Sequence, residues 1–127
     1  MPRVYDNEWQ GDIKRVLCVC SANMLRSPTM QVVLSSDPFN YNTRSCGTHD
    51  YALIQLTADL LSWADEIVCA DTEHFNRVHY FHDRLAYLKD TPIVNLRIPD
   101  IYEYRDPQLV QLIGERYQEW LDNREVQ

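Results

Sequence analysis

The run IKRVLCVC, Ile13 to Cys20, constrains this chain more than any other stretch. Beyond Arg15 it is apolar at every position, so a strand built from it has no face to offer water. Such a strand belongs in a parallel sheet covered on both sides by helices. Later runs repeat the pattern: YNTRSCG (Tyr41 to Gly47) fits a short second strand, DEIVCA (Asp65 to Ala70) a buried third and IVNLRI (Ile93 to Ile98) a fourth. Helix signals lie between them. Ser27 followed by Pro28 has the chemistry of an N-cap with proline at the first helical position, and the apolar stripe of TMQVVLSS runs on to Asp37-Pro38. Thr57 caps a short helix over ADLLSW, and Asp71 or Thr72 starts another that reaches about Lys89 before Thr91-Pro92. Asp106-Pro107 opens a last amphipathic helix with Leu109, Leu112, Ile113, Tyr117, Trp120 and Leu121 on its apolar side. The alternation predicts an α/β fold: a three-layer αβα arrangement around a four-stranded parallel sheet, Rossmann-like, with right-handed crossovers and ligands outside the carboxyl ends of the strands.

At 127 residues, 45% of them hydrophobic, the chain suits one domain, expected over residues 13–127, with residues 1–12 as an N-terminal extension that carries no chemistry. The net charge of −7 argues against nucleic acid as a partner but leaves room for a local pocket that takes one small anion. No apolar run has the length of a signal-peptide core or a membrane span, so a cytoplasmic protein with no membrane partner is expected. Cys18, Cys20, Cys46 and Cys69 each lie in or at the end of an apolar run and read as reduced thiols. Their spacing gives no zinc pattern, and His74, His79 and His82 lack acidic or cysteine partners at matching spacing, so neither metal nor cofactor is expected. His49 and the charges Glu115, Arg116, Glu119 and Arg124 read as exposed groups.

The first strand ends on Cys20, and the loop that follows reads C-S-A-N-M-L-R-S, with five residues between Cys20 and Arg26. Spacing alone is weak, but here the cysteine ends the most strand-like run and the loop closes on a helix start. Successive backbone N–H groups from Ser21, Ala22, Asn23, Met24 and Leu25 then converge with a helix N-terminus on one point, a ready anion site. Arg26 at its lip can offer a planar fork to two phosphate oxygens. The same positive field favours the thiolate of Cys20, the form that attacks phosphorus and gives a cysteinyl-phosphate that water hydrolyses. The Ser27 hydroxyl could donate to the sulfur and help it leave.

VLCVCSANMLRSPT resembles the signature of the low-molecular-weight protein tyrosine phosphatases. RSCGTHDY (Arg44 to Tyr51), ADEIVCAD and IPDIYEYRDP resemble, in order, that family's second strand and variable loop, its third strand, and the late loop that carries the general acid. The resemblance implies a phosphatase that hydrolyses phosphotyrosine in protein substrates and takes phosphate, sulfate or vanadate as active-site anion. It makes Cys20 the nucleophile, Arg26 the phosphate clamp, and Asn23, Ser27 and Ser45 a hydrogen-bond network that fixes the loop. Tyr51 and Tyr102 fall where the family places aromatic walls around the substrate ring.

The leaving oxygen needs a proton, and Asp100 and Asp106 are the candidates. The family's acid is usually followed by proline, as Asp106 is. But Asp106 before Pro107 and an amphipathic run reads as a helix N-cap, whose carboxylate is already engaged by backbone N–H groups, so Asp100 is expected to be the acid. The chain departs from the family at three places: only ALIQL stands between Tyr51 and Thr57, where the family has a longer segment with a histidine near the phosphate loop. Ile101 follows the acid, and Leu25 stands where many members have a second cysteine. This is a shortened member by resemblance. Two rival readings remain, an arsenate reductase on the same scaffold, which needs two more redox cysteines close together, and a phosphotyrosine-binding module without turnover.

Overall fold

The computed structural model describes residues 13–85 and 90–126. Its core is a four-stranded sheet in the order β2-β1-β3-β4, formed by β1 (Arg15–Cys20), β2 (Asn42–Gly47), β3 (Glu66–Cys69) and β4 (Ile93–Asn95). Every pairing is parallel, with Val19 opposite Cys46 on one side and Cys69 on the other. β1 is therefore paired on both edges, between β2 and β3.

The pleat sends alternate residues of β1 into two different cores. Val16, Cys18 and Cys20 pack with Met30, Leu34, Leu109, Ile113 and Tyr117, from α1 (Arg26–Leu34) and α4 (Pro107–Val126). Leu17 and Val19 pack with Leu60, Leu61, Trp63 and Val78, from α2 (Ala58–Trp63) and α3 (Thr72–His82). Those two helix pairs are the outer layers expected from the sequence. No helix among the described residues is long and apolar enough to cross a membrane.

Thr57 caps α2 as expected, its hydroxyl accepting the N–H of Leu60 at 3.2 Å. Asp71 caps α3 through a capping box closed by His74. Asp106 takes the N–H of Gln108 on its carboxylate at 2.8 Å and that of Val110 on its carbonyl, so it caps α4 as its sequence context indicated.

Three boundaries differ from the sequence reading. α1 begins at Arg26, with Leu25 at the cap and no side-chain cap bond, so Ser27 is not the N-cap. Its hydroxyl is occupied by the cysteine loop instead, and Pro28 still falls in the first turn, where a missing N–H costs nothing. α3 ends at His82 rather than near Lys89; residues 86–89, like residues 1–12, lie outside the described residues. β4 is cut to three residues because Arg97 adopts a positive φ of 55°, although Leu96 and Ile98 still donate to the carbonyls of Cys69 and Ala70.

At the amino end of the sheet a charge is buried. Glu66 accepts from Lys14 Nζ at 2.9 Å and from the Tyr117 hydroxyl at 2.8 Å. Burial and then the Glu66 charge push the Tyr117 phenol well above its ordinary value, so it stays a donor.

Candidate active site

At the opposite end of the sheet β1 finishes on Cys20, and residues 21–25 carry the chain into α1. The segment after β2 straps this loop from outside. Thr48 donates to the carbonyl of Cys20 at 2.9 Å, His49 to that of Ser21 at 3.1 Å and Leu53 to that of Ala22 at 3.1 Å. Three successive carbonyls are thus satisfied, whereas among the described residues none of the N–H groups of Ser21 to Leu25 donates to a protein acceptor. Asn23 sits in the left-handed region at φ 60°, the kind of reversal that turns neighbouring N–H groups toward a common point. Native proteins rarely leave backbone donors without partners, and a row of them running into a helix N-terminus is an arrangement able to take an anion.

The strap comes this close because residue 47 is glycine. A Cβ there would collide with the carbonyl oxygen of Ser21 and stand 2.7 Å from the Ala52 methyl.

Arg26, only 4% exposed, sends Nη1 to the carbonyl of Ile98 at 2.9 Å, while its Nε lies 3.5 Å from Oδ1 of Asp100. The guanidinium is therefore fixed from the β4 side, and the 63% exposed Asp100 carboxyl hangs beside it at the mouth. Asp106, the other acid candidate, has its carboxylate on the α4 N-terminus.

Cys20 is buried, with Sγ 3.0 Å from Oγ of Ser27, and that hydroxyl lies 3.2 Å from the carbonyl of Cys46. When the sulfur is a thiolate, the hydroxyl proton can turn from the carbonyl to the sulfur. The other cysteines are of a different kind. Burial pushes the thiol of Cys46 up to about 12 and raises those of Cys18 and Cys69 as well, so they stay protonated and inert.

The sequence-derived site residues are not all joined. Cys20, Ser27, Arg26 and Asp100 come together with the loop residues Ser21, Ala22, Asn23, Met24 and Leu25. The network expected of Asn23, Ser27 and Ser45 does not close: Ser45 Oγ donates to Gln31 Oε1 at 2.8 Å, and the buried Oδ1 of Asn23 has no hydrogen-bond partner among the described residues. Tyr51 is 66% exposed and stacks on His49 at 4.9 Å between centroids, whereas Tyr102 is half-buried against the α1/α4 core. Met24, Leu25 and Ile101 expose apolar side chains from the loop and from the Asp100 segment. His74, read from sequence only as a helix-face residue, reaches the loop itself: its Nε2 lies 2.8 Å from Ser21 Oγ. The available signal was the D-x-x-H spacing of a capping box at the end of a buried strand. His79, edge-on to Phe75, and His82, 3.6 Å from Asp83, belong to α3 packing.

No protein-family model and no curated protein sequence matches the chain. Solved structures do. A low molecular weight protein tyrosine phosphatase from Streptococcus pyogenes aligns over 87% of this chain and 93% of its own, with 20% identity and a TM-score of 0.64. Wzb from Vibrio vulnificus, in complex with benzylphosphonate, aligns over 88% of this chain and 99% of its own, with 21% identity and a TM-score of 0.65. The YwlE arginine phosphatase from Geobacillus stearothermophilus covers 89% and 96%, with 19% identity and a TM-score of 0.55. The chain therefore has the α/β fold of the low-molecular-weight tyrosine phosphatases, as its loop signature led one to expect.

Proposed function

We propose that the chain is a cysteine-dependent phosphatase that hydrolyses phosphotyrosine in protein substrates through a cysteinyl-phosphate. The observation that carries the reading is the sorted polarity of the loop after Cys20, with carbonyls occupied from outside and N–H groups uncommitted among the described residues. A phosphate dianion would take those donors and the Arg26 fork; sulfate or vanadate would fit the same cradle.

In the first step the Cys20 thiolate donates its electron pair to phosphorus, the bond from phosphorus to the phenolic oxygen breaks, and Asp100 gives that oxygen its proton. Asp100 suits this role because its carboxyl stands beside the guanidinium that would hold the phosphate, whereas Asp106 is engaged as a helix cap. In the second step the Asp100 carboxylate accepts a proton from water, the water oxygen bonds to phosphorus, and the phosphorus–sulfur bond breaks. Ser27 steadies the departing thiolate, and inorganic phosphate leaves.

The choice of an aryl substrate rests on the rim, where Tyr51, Met24 and Ile101 offer apolar surface to a ring. The four free cysteines suit a reducing compartment, in keeping with a cytoplasmic enzyme. The test is hydrolysis of phosphotyrosyl and phosphoarginyl peptides across pH by wild type, Cys20→Ser and Asp100→Asn. Turnover of the tyrosyl peptide that is lost in the first variant and sharply reduced in the second supports the mechanism. Preference for the arginyl peptide would move the substrate class, and phosphate binding without turnover would leave a phospho-ligand binding module.

A further inference from the structure

Besides α1's own Ser27 and Thr29, a side chain from a different helix reaches the phosphate loop. His74 stands at the third position of α3, is 1% exposed, and has both ring nitrogens committed. Nδ1 accepts the backbone N–H of Asp71 at 3.1 Å, and Nε2 lies 2.8 Å from Oγ of Ser21. A ring nitrogen that accepts carries no proton, so in the neutral imidazole the proton is on Nε2 and is donated to Ser21. The ring stays neutral at ordinary pH: burial, and next the nearby Arg26 charge, push its pKa down to about 4.

Ser21 directly follows Cys20 and brings the first of the uncommitted N–H groups. Converging N–H dipoles repel one another, so the loop needs ties that hold its shape before an anion does so. The strap from residues 48–53 fastens carbonyls only. Among the described residues the buried Oδ1 of Asn23 has no hydrogen-bond partner, and Ser45 is turned to Gln31. The bond from α3 is the side-chain tie to the loop's first residue, and it arrives from a helix whose first turn is itself locked by the same imidazole.

Resting on the phosphatase reading above, we propose that His74 is a positioning residue of the phosphate site, which holds Ser21 and the start of the loop in the anion-binding shape. A tie of this kind acts on the bound phosphate and on the transition state alike, so its loss weakens capture more than chemistry.

The test measures KM and kcat for an aryl phosphate and the inhibition constant of inorganic phosphate in four variants: Ser21→Ala, His74→Phe, the double variant and His74→Gln. Loss of one hydrogen bond should raise KM and the phosphate inhibition constant about fivefold, with kcat within about twofold of wild type. The double variant should be no worse than either single one, and His74→Gln, whose amide can accept from Asp71 and donate to Ser21, should recover wild-type values. Ser21→Ala leaves the α3 cap intact and keeps the test decisive if His74→Phe does not fold. A wild-type phosphate constant in Ser21→Ala, or additive effects in the double variant, overturns the tie while leaving the phosphatase reading in place. A wild type that neither hydrolyses aryl phosphates nor binds phosphate overturns both.

Discussion

The two ends of the sheet hold charge in opposite ways. At the amino end, Glu66 is buried with Lys14 and Tyr117 as donors, so its charge is spent on partners within the protein. At the carboxyl end Arg26 is also buried, yet among the described residues the N–H groups that precede it have no protein acceptor. Both ends concentrate polarity against the same apolar core, but one is complete within the protein and the other, on the function proposed above, is completed by an anion. Changes at the first should therefore cost stability and spare turnover, and changes at the second should do the reverse.

The largest effect expected is at the nucleophile: Cys20→Ser should take turnover of an aryl phosphate to background while calorimetry still registers phosphate binding. Asp100→Asn should lower kcat for a poor leaving group by about 10²- to 10⁴-fold, the usual contribution of a positioned general acid, and much less for a good one such as p-nitrophenol. A leaving-group series would read that difference.

His74 crosses the contrast, since it serves the anion end yet has a stability signature. Its folded pKa of about 4 lies below the ordinary 6.5, so between those values the unfolded chain binds more protons. Stability should thus be fully present above pH 6.5 and fall as pH drops toward 4, by about 3 kcal/mol from this group. Urea midpoints across that range should show the fall in wild type and lack this component in His74→Gln.

At the amino end, Tyr117→Phe removes a hydrogen bond to a buried charge and should cost about 2 kcal/mol in urea unfolding, with kcat and KM unchanged. The smallest effect belongs to the rejected acid candidate. Asp106→Ala should cost about 1 kcal/mol for the lost cap and leave kcat near wild type. A collapse of kcat in that variant would exchange the assigned roles of Asp100 and Asp106.

What was legible from sequence was local. The two-sided apolarity of Val16 to Cys20 marked β1 as a strand covered by helices on both faces of a parallel sheet, and Asp106-Pro107 marked a cap, because strand burial and capping are written in neighbouring residues. Ser27 was misread as a cap because its hydroxyl is claimed by Cys20, seven residues earlier, a competition that propensity does not register. Ser45 was assigned to the loop, but its partner Gln31 is set by how α1 lies on β2. His74 lies 53 residues from Ser21, and only the pairing of β1 with β3 brings the start of α3 to the loop.

Gly47 has a consequence for how this sequence can drift. Its missing side chain is the space through which the carbonyl of Ser21 and the methyl of Ala52 approach, so any replacement must push backbone out of place. Gly114, in the middle of α4, would meet nothing within 4 Å, and alanine there should even favour the helix. In a library of random variants selected for function, position 47 should stay glycine while position 114 wanders, and the first becomes a marker of the loop as reliable as the cysteine itself.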